Sequence, residues 1–120
     1  MATFTKRILS GSTDGKAIKV TGTSTSATVT VHTGDTTVAT LDEIWIYANN
    51  TSASDVKLTL EWGTATAADG NIEYTVKAEN GLYLIIAGLV LKGNATPLTV
   101  KAFAATADVI LLTGYVNRIS

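Results

Sequence analysis

The chain has 120 residues, with nine Lys and Arg against ten Asp and Glu, one His and a formal net charge of −1. That balance excludes the basic excess of a nucleic-acid binder, and the absence of Cys excludes disulfides and thiolate metal sites. Apolar content of 46% with only 16% charge describes one folded domain with a neutral, Thr-rich surface, of the kind suited to sitting on other protein.

Taken in chain order, residues 1–15 read as an extended N-terminal arm and 16–120 as the folded domain. Lys6, Arg7, Lys16 and Lys19 place four of the nine basic residues before position 20, against Asp14 alone. Ser10-Gly11-Ser12-Thr13-Asp14-Gly15 has the composition of a hinge. The alternative for this stretch is a frayed terminus. It lacks the apolar core of a signal peptide, so synthesis in the cytoplasm is expected.

From there the residue types are those of strands, with turn signals at the spacing of an all-β sandwich or barrel. The pattern predicts about eight strands. They are Lys16–Val20, Ala27–Thr33, Asp42–Asn50, Asp55–Gly63, Asn71–Lys77, Leu82–Leu91, Leu98–Ala105 and Val109–Ile119. No stretch carries a helical period. The fold class expected is an antiparallel β-sandwich, jelly-roll-like, with the arm attached.

Val56, Leu58, Leu60 and Trp62 alternate with Lys57, Thr59 and Glu61, which predicts one buried and one wet face. Ile72, Tyr74 and Val76 alternate with polar residues in the same way. Ile44–Ala48 and Leu82–Ala87 are apolar on both faces, so something covers their outer side: another layer, or a second subunit. The run Leu82–Leu91 is broken by Gly88 and too short to cross a bilayer as a helix, so no membrane partner is expected.

Groups able to do chemistry are sparse. His32 falls on the Thr28 and Thr30 side of its strand and is expected at solvent or an interface. Asp42 and Glu43 are adjacent and would point to opposite faces, which argues against a paired acid and base. No metal series, phosphate loop or nucleophile elbow is present, so neither a cofactor nor enzymatic activity is expected. Trp45 and Tyr47, leading into Asn49 and Asn50, suit packing, or a platform for sugar rings.

Three phrases carry a resemblance. They are Leu9 to Val20, Asp42 to Asn50 with Leu58 to Gly63, and Ala104 to Val109 running on to Gly114-Tyr115-Val116-Asn117-Arg118-Ile119. Together they resemble small structural proteins of tailed bacteriophages of the capsid decoration, or cement, type. The resemblance implies a virion protein, made in the host cytoplasm, that binds the outside of the head and clamps neighbouring major capsid subunits, often as a homotrimer. On that basis Phe4, Lys6, Arg7, Ile8, Lys16 and Lys19 are the expected capsid-binding arm. Trp45, Tyr47, Tyr83 and Ile85 are the expected subunit interface. A carbohydrate-binding or host-recognition module and a tail or head-fibre component are the alternatives.

Overall fold

The computed structural model describes residues 2–120; Met1 of the expected arm lies outside the described residues. Nine strands follow one another with no helix among those residues. They are β1 (Phe4–Ile8), β2 (Ile18–Lys19), β3 (Val29–Thr33), β4 (Leu41–Asn50), β5 (Val56–Trp62), β6 (Asn71–Val76), β7 (Tyr83–Lys92), β8 (Thr99–Ala104) and β9 (Ile110–Ile119).

One sheet has the order β1-β9-β4-β7, with β2 also paired to β9, and the other has the order β3-β8-β5-β6. All pairings are antiparallel. Between β3 and β9 the chain changes sheet at every connection except β5–β6. A five-stranded and a four-stranded layer joined by such crossings form a jelly roll. The expected sandwich is therefore present, with one strand more than the pattern gave.

The extra strand is the expected arm. Phe4–Ile8 lies antiparallel along Ile119–Tyr115, and Thr3 and Ser120 extend the ladder by exchanging backbone hydrogen bonds. Leu9, just beyond, is fully buried in the core. Residues 4–9 thus belong to the sandwich in this structure and are not detached from it. The reason is register: the β1 amides complete the outer edge of β9, which β2 covers only at Leu111 and Leu112. The expected strand Lys16–Val20 shrinks to two residues, although Val20 remains buried and its N–H bonds Ile110 O at 2.9 Å.

The core lies between the sheets. β4 alternates half-buried and buried along its whole length, sending Ile44, Ile46 and Ala48 inward. Val116, Leu112 and Ile110 of β9 join them, facing Val56, Leu58 and Leu60 of β5 and Val100, Ala102 and Ala104 of β8. The small alanines of β8 opposite the large residues of β5 match a close-packed interior.

The outer side of β5 departs from the expected wet face. Lys57 is exposed, but Thr59 and Glu61 are 2% exposed. The segment after β2 folds over them, and Thr25 donates its hydroxyl to Glu61 Oε2 at 2.5 Å. Tyr74, expected inside, is 38% exposed because β6 is an edge strand.

Gly114 sits where the β4–β9 ladder leaves no room for a side chain. A Cβ built there would lie 1.9 Å from Trp45 O. Gly114→Ala is therefore expected to destabilise the fold by about 3 kcal/mol or more, read as a lowered urea midpoint at unchanged slope.

Candidate functional site: an apolar sheet face over a buried ion-pair joint

Directly opposed residues in a sheet project to one face, so the registers assemble the outer surface of β1-β9-β4-β7 row by row. Ile8, Tyr115, Trp45 and Ala87 form one row. Lys6, Asn117, Glu43 and Val90 form the next, and Tyr47 lies opposite Leu84 on one side and Thr113 on the other. Trp45 and Tyr115 are stacked, with centroids 5.9 Å apart and ring planes 11° from parallel. Lys6 Nζ lies 4.9 Å from the Tyr115 centroid, within range of a cation–π contact.

Glu43 fixes the orientation of this group. Its Oε1 accepts from Trp45 Nε1 at 2.9 Å and from Asn117 Nδ2 at 3.0 Å. These bonds, Asn117's the stronger influence, hold the Glu43 carboxyl below its usual range. On the other side of the indole, Gly88 sits in a left-handed conformation (φ 77°), where a Cβ would come within 3.1 Å of Trp45 Cζ2. Around this centre Phe4, Ile8, Leu84 and Val90 stand exposed, Phe4 at 71%. The result is a largely apolar face whose polar members include Lys6, Glu43, Asn117 and Thr113, on the side of the sandwich that water would ordinarily wet.

Of the residues expected at a subunit interface, Trp45 and Tyr47 lie on this face. Tyr83 and Ile85 do not. Tyr83 is opposite the inward-facing Ala48, contacts Tyr74 of β6 (centroids 6.5 Å apart) and hydrogen-bonds Asn80, while Ile85 packs against the core. The cause is a pair of bulges in β7: its register with β4 shifts between Ile44 and Trp45 and again between Ile46 and Tyr47. Each bulge reverses the alternation. Leu84, Ala87 and Val90 take the outer positions instead, and a strict period of two could not place them.

The expected arm residues divide between surfaces. Phe4, Lys6 and Ile8 share rows with Ile119, Asn117 and Tyr115 on the apolar face. Lys19, opposite Leu111, and Lys16, in a turn closed by its N–H to Thr13 O, are exposed. Arg7 alternates to the other side and lines a cleft of about 500 Å³ with Ser10, His32, Thr33 and Arg118. The basic residues therefore do not form one patch.

Beneath the face is a polar cluster absent from the sequence reading. Asp42 is 1% exposed and receives Arg118 in a two-pronged contact, Nε to Oδ1 at 2.7 Å and Nη2 to Oδ2 at 2.9 Å. His32 Nε2 lies 2.8 Å from Asp42 Oδ2, and Asp35 approaches Arg118 at 3.9 Å. Burial opposes ionisation of Asp42, but the hydrogen bonds from Arg118 and His32 outweigh it and hold the carboxyl below its usual range. The bond to Asp42 correspondingly raises the Arg118 pKa.

His32 is buried, at 2% exposure, and not at solvent or an interface as the alternation suggested. A register irregularity between Thr30 and His32 turns both Val31 and His32 inward. Asp42 is 10 residues from His32, and Arg118 is 76 from Asp42, so no local motif marks the cluster. With Ser10 N–H on Nδ1 and Asp42 on Nε2, both ring nitrogens are committed.

No protein-family model matches the chain, and no curated protein matches it. Among solved structures, the chain is similar to one from a work described as "Crystal structure of the T13 IBDV viral particle reveals a missing link in icosahedral viruses evolution". The TM-score is 0.50 at 15% identity, covering 98% of this chain and 31% of that one. The likeness is one of fold, and this chain spans about a third of the length of its neighbour. Together with the strand order, it places the protein among jelly-roll β-sandwiches.

Removing one partner of a buried ion pair leaves an uncompensated charge. Arg118→Met is expected to cost about 3 kcal/mol at neutral pH, measured by denaturant unfolding. Asp42 contributes stability above its unfolded pKa of about 3.9, and that contribution is lost as pH falls through the lowered native value. In Arg118→Met this acid-sensitive part of the pH–stability curve should shrink.

Proposed function

We propose that the protein is a virion structural component of the capsid decoration type, assembling through the outer face of the β1-β9-β4-β7 sheet. The observation that carries this reading is that face itself: Phe4, Ile8, Trp45, Tyr47, Leu84, Val90 and Tyr115 on one side of a small sandwich, with no covering layer among the described residues. A neutral domain with few charges to desolvate is suited to protein contact. The fold it shares with part of a chain from a viral particle is compatible with the same use.

In this reading the homo-oligomer, a trimer, buries the Trp45–Val90 side of the face. The β1 side, with Phe4, Lys6 and Ile8, meets the major capsid protein at the capsid surface. Phe4 and Ile8 supply apolar anchors and Lys6 meets acidic capsid groups, while Arg7, Lys16 and Lys19 lie off this surface. Three copies tied together hold weak individual contacts at a raised effective concentration. No catalytic step is part of this role. A sugar-stacking platform at Trp45 is less favoured, because Tyr115 and Gly88 already lie against the indole.

Light scattering of the purified chain across concentrations tests the assembly. A concentration-independent trimer is expected, and Leu84→Asp combined with Val90→Asp is expected to give a folded monomer with unchanged circular dichroism. A wild-type monomer at every concentration would remove the subunit interface from this account.

A further inference from the structure

The link between β1 and β2 crosses the sandwich beside the buried histidine. Ser10 is held there at two points: its N–H donates to His32 Nδ1 at 3.1 Å, and its Oγ accepts the Thr33 N–H at 2.6 Å. Gly11 N–H then bonds Val31 O at 3.0 Å. A backbone N–H can only donate, so Nδ1 must be the unprotonated nitrogen, and the single ring proton sits on Nε2, facing Asp42. A second proton would set N–H against N–H at Ser10.

β1 itself has few other attachments. All five of its residues are exposed. Beyond the ladder to β9, it is held by the Thr3–Ser120 pair and by Lys6 over Tyr115. Its firm anchor is the stretch just after it, Leu9 in the core and Ser10 on the histidine.

We propose that His32 is a proton-sensitive latch, which in its neutral form fastens the Ser10 crossing and with it β1, and which on protonation loosens that segment and uncovers the β9 edge from Tyr115 to Ile119. A freed edge would offer unpaired backbone groups to a strand from another chain.

The charges around the ring come from every side. Asp42 of β4 faces Nε2, Arg118 of β9 lies behind Asp42, and Arg7 of β1 lines the same cleft. Asp35 of the β3–β4 loop reaches Arg118, and the residue opposite His32 on β8 is the non-titrating Val100. Burial disfavours the imidazolium, Asp42 favours it, and Arg118 and Arg7 disfavour it again, leaving the pKa below its ordinary value. The closed form therefore binds the proton more weakly than the open form, whose histidine titrates near 6.5. Below that pH, opening gains one proton and its equilibrium constant rises by up to about tenfold per pH unit, until the closed-form pKa is reached. Asp42, with its own pKa lowered, remains charged through the upper part of that window.

Amide hydrogen exchange of the whole chain, followed by NMR from pH 7.5 downward, tests the latch. His32 is the chain's single histidine, so its imidazole resonances are unambiguous. After correction for intrinsic exchange, protection of the β1–β9 amides should fall up to tenfold per pH unit below about 6.5, while β5 and β8 stay protected. The loss should begin at about pH 6.5 and level off once the pH falls below the folded imidazole's own titration midpoint, and it should be absent in His32→Gln, which cannot titrate. β1 protection that stays flat until global unfolding overturns the latch. So does the same pH dependence in His32→Gln, or in the wild type a loss that does not level off below the folded imidazole's midpoint. If His32→Gln does not fold, the wild-type comparison alone decides. None of these readouts depends on the capsid reading, so either can fail without the other.

Discussion

The β4–β9 ladder is the constraint on which the rest of the molecule depends. It runs for ten residues, from Leu41 opposite Ile119 to Asn50 opposite Ile110, and joins the middle of the chain to its end. Every other member of its sheet hangs from one of these two strands: β1 and β2 from β9, and β7 from β4. The ladder needs Gly114, because no side chain fits against Trp45 O at that crossing. It also sets the phase of both strands, so that Ile44, Ile46, Leu112 and Val116 go inward while Trp45, Tyr47 and Tyr115 go outward.

The same phase explains the polar joint. Asp42 and Arg118 are opposed in the ladder and both turn toward the end of the sandwich where β3 arrives with His32. A buried carboxylate is tolerable only when its lone pairs are met, and here a guanidinium fork and an imidazole meet them. The joint ties the two sheets together through β3, β4 and β9, and Ser10 extends it to the N-terminal crossing. Breaking one member exposes the others to an unmatched charge, which is why such a cluster specifies geometry more than it adds stability.

The outer face follows from the same arrangement. Two long strands that are apolar on both sides, β4 and β7, lie side by side, so their outer residues merge into one surface. β1 adds Phe4 and Ile8 to the far side of it. Glu43 satisfies the Trp45 indole N–H and itself accepts from Asn117. A surface prepared in this way costs little to desolvate, the physical basis of the assembly reading.

The sandwich class, most strand positions and the inward residues of β4 and β5 were legible from the sequence because they rest on a local alternation of side chains. The apolar outer side of Ile44–Ala48 was legible for the same reason. The arm's docking was not: Phe4–Ile8 is short and half polar, and it becomes a strand only because β9 offers it an edge. The bulges that send Leu84 and Val90 outward, and His32 inward, carry no marker except Gly88, since a one-residue shift in pairing is decided by the partner strand. Asp42, His32 and Arg118 are unremarkable residues in sequence, with Arg118 most of the chain away from the other two. Period-two patterning by itself determined which segments would be strands; the tertiary structure decided which of them pair, and so which polar groups meet, because register is fixed between strands and not within them.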